Sequence, residues 1–152
     1  MFVFTGSAGI WTREAYIKAS NTDSEDRFGG TVALCGDTLV VGAWGENSNA
    51  TGINGNQADN SAFWAGAVYL FTRSAGTWTQ RAYIKASNTD SDERLGRTVD
   101  LSADSLSVGP SAHYRNASGH PPRQAAHRSY CARQVVHFTC QERASHPLAP
   151  AP

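Results

Sequence analysis

Oxygen-bearing side chains stand at Asn21, Asp23, Glu25 and Asp26, and the pattern returns at Asn88, Asp90, Asp92 and Glu93. Calcium takes about six to eight oxygens from closely spaced carboxylates, amides and carbonyls, so each stretch could begin a Ca²⁺ shell. No glycine falls at the sharp bend of an EF-hand-type loop and no bidentate glutamate closes it. The competing reading is a solvated acidic turn, where Asp and Asn are favoured. Between residues 44 and 64 lie Trp44, Glu46, Asn47, Asn49, Asn54, Asn56, Asp59 and Trp64. Such a loop could bind a polar ligand such as a glycan; the same amides would equally serve the loop's own backbone.

Other chemistry is excluded or weak. All five histidines follow residue 112 and no Gly-x-Ser-x-Gly or phosphate-loop pattern occurs, so no residue is assigned a catalytic role. His127, Cys131, His137 and Cys140 form a cluster on paper, but the Cys131 to Cys140 separation fits no paired zinc-ligand spacing. Three cysteines, an odd count, give no disulfide framework, and Cys35 reads as a small core residue of a strand. Asn49-Ala50-Thr51 and Asn116-Ala117-Ser118 match the glycosylation acceptor, a short pattern read here as incidental. Calcium apart, no cofactor is implied. Trp11 and Trp78 recur at one phase and read as structural; for Trp44 and Trp64 loop packing is expected over a shared stacking surface.

The chain that must position these residues has 152 amino acids, 40% hydrophobic and 17% charged, and no net formal charge. That length suits one domain or a piece of a larger protein. The neutrality is a cancellation: residues 1–110 hold 8 Lys/Arg and 12 Asp/Glu, a net of −4, and 111–152 hold 5 Arg and one Glu, a net of +4. A balanced total removes the electrostatic case for a nucleic-acid partner. No apolar run approaches the roughly 18 to 20 residues of a membrane helix, so no membrane insertion is expected. The start, Met1 to Thr5, lacks the basic and apolar regions of a signal peptide, which leaves localisation unknown for the chain as given.

A tandem repeat organises the chain. Aligning 2–43 with 69–110 at an offset of 67 leaves 26 of 42 positions identical without a gap. Within each unit, β-branched runs read as strands at Thr31–Cys35, Thr38–Gly42, Ala67–Thr72 and Trp78–Lys85, with a tight turn at Gly36-Asp37. Phe2–Thr5 and Trp11–Ala19 repeat the last two. Four antiparallel strands per unit make the blade of a β-propeller, and the fold class is therefore all-β. The 20 residues 45–64 form a rim loop that lengthens the period.

The residues that carry a resemblance are Phe28-Gly29, Val32-Ala33-Leu34, Gly36-Asp37-Thr38-Leu39-Val40-Val41-Gly42-Ala43, the stretch Gly45 to Asn60, and Gly66-Ala67-Val68-Tyr69-Leu70-Phe71. In order and spacing they resemble the bacterial FG-GAP repeat proteins, whose repeats are related to the propeller of the integrin α-subunit. The resemblance covers about residues 2–110. It implies a propeller of a secreted or cell-surface parent, used for binding or adhesion of a protein or glycan and not for catalysis. In the second copy Phe28-Gly29 becomes Leu95-Gly96 and Gly42-Ala43 becomes Gly109-Pro110. Integrin-type repeats bind calcium between the first two strands of a blade; here that loop is only Gly36-Asp37, so this calcium site is not carried over.

The expected organisation is the end of a preceding blade with its linker at 1–29, one complete repeat at 30–96, a partial and degenerate repeat at 97–139, and a disordered tail at 140–152. About two incomplete blades cannot bury their own faces, so neighbouring blades of a longer chain are expected partners and independent folding is doubtful. The tail retains nine identities in 29 when 111–139 is set against 44–72, where about two would arise by chance. It reads as a decayed copy with Val135 to Thr139 as its third strand, a frame-shifted tail being the other possibility. Two alternatives stand beside the binding module: a propeller scaffold attached to a catalytic or carbohydrate-processing domain, and a truncated relic without function.

Overall fold

The computed structural model describes residues 1–102, 105–109 and 134–136, the last three as backbone only. Among the described residues every regular element is a β-strand. β1 (Phe2–Ser7) and β2 (Ile10–Tyr16) form a two-stranded antiparallel sheet. β3 (Phe28–Cys35), β4 (Thr38–Ala43), β5 (Ala67–Ser74) and β6 (Thr77–Ile84) form an antiparallel meander in chain order. β7 (Thr98–Leu101), β8 (Leu106–Gly109) and β9 (Gln134–Val136) form the third sheet. This is the architecture of an incomplete propeller-type repeat fragment, with one whole blade between parts of two others.

The repeat is visible in the backbone. Ala8-Gly9 and Ala75-Gly76 occupy equivalent two-residue hairpins, with φ of 52° and 81° in the first and 48° and 78° in the second. Positive φ at both positions belongs to the turn whose twist matches the flanking strands. The linkers entering β3 and β7 also share a conformation: Glu25, Arg27 and Gly29 have φ of 68°, 59° and 90°, and Asp92, Arg94 and Gly96 have 64°, 54° and 82°. In both, a threonine hydroxyl closes the preceding turn, Thr22 on the Ala19 carbonyl and Thr89 on that of Ala86, at 2.9 and 3.0 Å.

The central sheet is buried on both faces, which explains why β4 and β5 read as continuous apolar runs instead of alternating ones. Leu39, Val41, Ala43, Ala67, Tyr69, Phe71 and Tyr83 pack on one side against Ile17 and Ala19, with Val3 and Ala15 of the first sheet. Val40, Val68, Leu70, Ala82 and Ile84 pack on the other side against Leu95, Leu106 and Val108, with Val99 and Leu101. The offset of 67 turns one interface into the other: Leu39 and Val41 become Leu106 and Val108, while Val3, Ala15 and Ile17 become Leu70, Ala82 and Ile84. Each such aliphatic side chain, fully buried, contributes about 1.5 to 3 kcal/mol.

At the blade junction the glycines of the two motifs meet. A Cβ on Gly42 would stand 2.0 Å from the Gly96 carbonyl oxygen, and one on Gly96 would stand 2.6 Å from that of Ala67. Thr31 Oγ1 donates to the same Gly96 carbonyl at 2.6 Å. The motif glycines of successive repeats are therefore a contact surface that admits no side chain.

Some expectations need correction. β2 ends at Tyr16 and not at Ala19, because the chain turns into the linker there, although Ile17 and Ala19 still point into the core. Cys35 is half-buried and not a core residue, because it lies on β3, the edge strand of its sheet, where Val32 and Leu34 on the other face are 53% and 59% exposed. Trp78 is half-buried under the Arg73 guanidinium, 5.3 Å from the ring centre, whereas Trp11 at the same phase is 73% exposed. β9 pairs Val136 with Leu106; the repeat register, set by Phe71 opposite Leu39, would put Phe138 there, so the observed pairing is two residues out. Residues 137–139, the tail beyond them and the His127, Cys131, His137 and Cys140 group lie outside the described residues.

Candidate functional site

The two sequence candidates form one structure. Loop 45–64 and linker 17–27 interlock through Gly45 N on the Asp26 carbonyl (3.1 Å), Asn60 Nδ2 on Asp23 Oδ2 (2.9 Å) and Asn21 Nδ2 on both the Gln57 carbonyl and Glu46 Oε1 (3.1 Å each). The far end of the loop pairs with the next linker, Asp92 N, Arg94 N and Leu95 N donating to the carbonyls of Phe63, Trp64 and Ala65 at 2.8 to 2.9 Å. Loop and both linkers thus share one rim.

Glu46 is the centre of this rim and is withdrawn from solvent, with 1% of its side chain exposed. Its Oε2 accepts from Lys85 Nζ at 2.7 Å and Ser48 N at 3.2 Å, and its Oε1 from Tyr83 Oη at 2.8 Å and from Asn21. Tyr69 Oη donates to Asn21 Oδ1 at 2.6 Å and extends the network. Burial pushes the phenols of Tyr69 and Tyr83 well above their usual range and the nearby Glu46 charge adds to it, so both remain hydroxyl donors. Burial also lowers the Lys85 ammonium, opposed by the charge and hydrogen bond of Glu46. Asp26, 4% exposed, is raised chiefly by burial and further by Glu46, against a backbone hydrogen bond from Asp23; its Oδ1 has no partner.

Most of the remaining loop residues serve the backbone. Asn47 Oδ1 accepts from Trp64 N (2.8 Å), Asn54 Oδ1 from Tyr83 N (2.9 Å) and Asn56 Oδ1 from Ala58 N (3.1 Å). Asp59 Oδ1 takes Asn49 N, Ser61 N and the Ser61 hydroxyl, which together hold its carboxyl below the usual range. In the first acidic stretch, Asp23 is tied to Asn60 and Glu25 to Arg27; in the second, Asp92 faces Arg94 at 3.3 Å, Glu93 is buried and Asn88 is exposed. Asn88, Asp90 and Glu93 all have partners. Among the described residues no group of three or more His, Cys, Asp or Glu is arranged to hold a metal ion.

What the rim presents outward is aromatic and cationic. Trp44 and Trp64 meet edge to face at 6.1 Å, and Phe63, 57% exposed as a residue, stacks on Trp64 at 4.7 Å. Arg94 lies over Trp64 at 4.5 Å, and Arg27 and Arg97 lie over Trp44 at 5.7 and 5.8 Å. Trp44 and Trp64 were legible as a possible pair. The arginines and Phe63 were not, because they come from linkers and a loop end that only the fold brings together. A separate cleft of about 570 Å³ opens between β2 and β6, lined among others by Tyr16, Lys18, Trp78 and Gln80.

No curated protein and no solved structure matches the chain. Residues 11–71, from β2 through the central strands to β5, match the FG-GAP repeat, a structural and non-catalytic unit. The match covers two fifths of the chain and supports an FG-GAP repeat over that segment.

Proposed function

We propose that this chain is the propeller segment of a non-enzymatic binding or adhesion protein, secreted or displayed at a cell surface, whose rim takes a glycan or protein ligand. The observation that carries the reading is the order of loop 45–64. Twenty residues without a strand of their own are anchored around Glu46 and pinned to a linker on either side, so their exposed side chains are held in place before any ligand arrives. Pre-organisation of this kind lowers the ordering cost of binding, and loops on a rigid scaffold are where binding residues concentrate. The reading requires no cofactor.

Probing the full chain on a glycan array tests it, alongside a variant in which residues 55–61 are replaced by a Gly/Ser segment. The expected result is binding to a restricted set of glycans that the variant loses while its circular dichroism keeps the β-sheet signal. Equal binding by both chains, or a blank array from a folded chain, would refute the glycan form of the reading.

A further inference from the structure

The repeat supplies an internal control for the aromatic and cationic cluster. The linker conformation and the motif glycines recur at the offset of 67. The cluster does not recur. Arg27 and Arg94 are equivalent, but Trp44 and Trp64 correspond to Ser111 and Cys131 in sequence, and Arg97 corresponds to Gly30. The last exchange has a steric reason: a Cβ at Gly30 would stand 2.9 Å from Trp44 Nε1, so a side chain there and the indole exclude each other. At the next junction the position is free to be arginine, and that arginine lies over Trp44. The indole pair with its three arginines thus belongs, in sequence, to this junction and not to its degenerate copy.

The cluster has a definite chemistry. Three guanidiniums lie over indole rings, Arg94 over Trp64 and Arg27 and Arg97 over Trp44. Arg27 pairs with Glu25 and Arg94 with Asp92, both through exposed, weakly held carboxylates. Among the described residues no carboxylate pairs with Arg97, which is exposed. A stacked guanidinium with a free edge is organised for the planar, forked contact that carboxylates and sulfates accept. Beside it the exposed Phe63 ring offers a flat apolar surface suited to the C–H face of a sugar ring. These three arginines stand on a segment whose net charge is −4, from 8 Lys/Arg and 12 Asp/Glu in residues 1–110.

We infer that the junction of Arg27, Trp44, Phe63, Trp64, Arg94 and Arg97 binds the carboxylate or sulfate of an acidic glycan, an inference that rests on the binding role proposed above. Tryptophan fluorescence of the full chain reports on the site, because Trp44 and Trp64 touch the guanidiniums. The titrants are an oligogalacturonate, a heparin-type sulfated oligosaccharide, an uncharged dextran oligomer and poly-glutamate.

The expected result is a saturable change with one or both acidic glycans, the responding one identifying carboxylate or sulfate, that weakens as salt rises. Arg97→Ala should weaken it about tenfold or more, the worth of one charge-assisted hydrogen bond. Arg97→Lys should recover only part, and Lys18→Ala in the cleft between β2 and β6 should stay within about twofold. Arg97 is exposed, so unchanged circular dichroism should accompany its loss of binding. An equal response to dextran overturns the anion class and leaves the binding role standing. A stronger response to poly-glutamate overturns the glycan class in favour of an acidic peptide. Unchanged affinity in Arg97→Ala overturns the site, and silence from all four titrants overturns the inference, with the array deciding separately whether the binding role falls too.

Discussion

Lys85 and Glu46 give the sharpest energetic test of this structure. Their side chains are 0% and 1% exposed and meet at 2.7 Å. Replacing Lys85 by Met leaves the Glu46 carboxylate buried with three hydrogen bonds, from Tyr83, Asn21 and Ser48, and no counter-charge. Breaking a buried pair from one side costs about 3 to 5 kcal/mol. Glu46→Leu should cost more, since it strands the Lys85 ammonium and also removes the acceptor of those three donors, each worth about 1 to 3 kcal/mol when buried and unpaired. The double variant loses the same donors' acceptor but no longer buries a lone charge. It should therefore be less damaging than the two single changes added together by about 2 to 3 kcal/mol. Urea titrations of the full chain at neutral pH, followed by circular dichroism, measure all three. The repeat provides the control: Lys18 is the equivalent lysine, is exposed, and as Lys18→Met should shift stability by less than about 0.5 kcal/mol. If Lys85→Met behaves like Lys18→Met, or the cycle shows no coupling, the network does not hold the rim and the case for an ordered loop collapses with it.

Further outcomes follow from the same geometry. Gly96→Ala should destabilise by about 3 kcal/mol or more, adding the strain of φ 82° to a collision with the Ala67 backbone, whereas Gly9→Ala, at φ 81° in open space, should cost only the strain; paired thermal melts compare them. Burial raises the Asp26 carboxyl above its unfolded value, so its contribution to stability is complete below the ordinary aspartate range and is lost as pH rises through the raised value. Asp26→Asn should flatten that fall in stability above the ordinary aspartate range, and parallel curves for the two proteins would contradict the assignment. Arg73 joins Glu14 at 2.9 and 3.0 Å and Asp37 at 2.6 Å while covering Trp78, so Arg73→Lys should lose about 1 kcal/mol in urea titration through the lost fork and stacking. Millimolar calcium should leave the melting temperature unchanged, because Asp23 Oδ2, Asp26 Oδ2 and Glu46 already accept internal hydrogen bonds; a rise of several degrees would favour Asn21 to Asp26 as a metal loop.

Local pattern and the repeat determined most of the architecture. The β-branched runs around Gly36-Asp37 and the recurrence of Ala8-Gly9 as Ala75-Gly76 specify strands and hairpins, since twist and turn chemistry act within a few residues. An ungapped offset of 67 then specifies a stack of like blades, because identical faces must find identical partners. What sequence left open were the roles of polar residues. Glu46 in a run of asparagines reads as a ligand-facing acid, and only the fold reveals that Lys85 and Tyr83, almost forty positions away, enclose it. Asp23 reads as a calcium ligand, and only the fold brings the Asn60 amide onto one of its oxygens. Trp44 and Trp64 invite comparison by type, but Arg27, Arg94 and Arg97 join them from separate linkers, and neither composition nor spacing marks those three among the other arginines. A strand's period is fixed by its own backbone. The burial of a carboxylate and the stacking of a guanidinium are fixed by whichever distant groups the packed sheets bring alongside, so they were decided only in three dimensions.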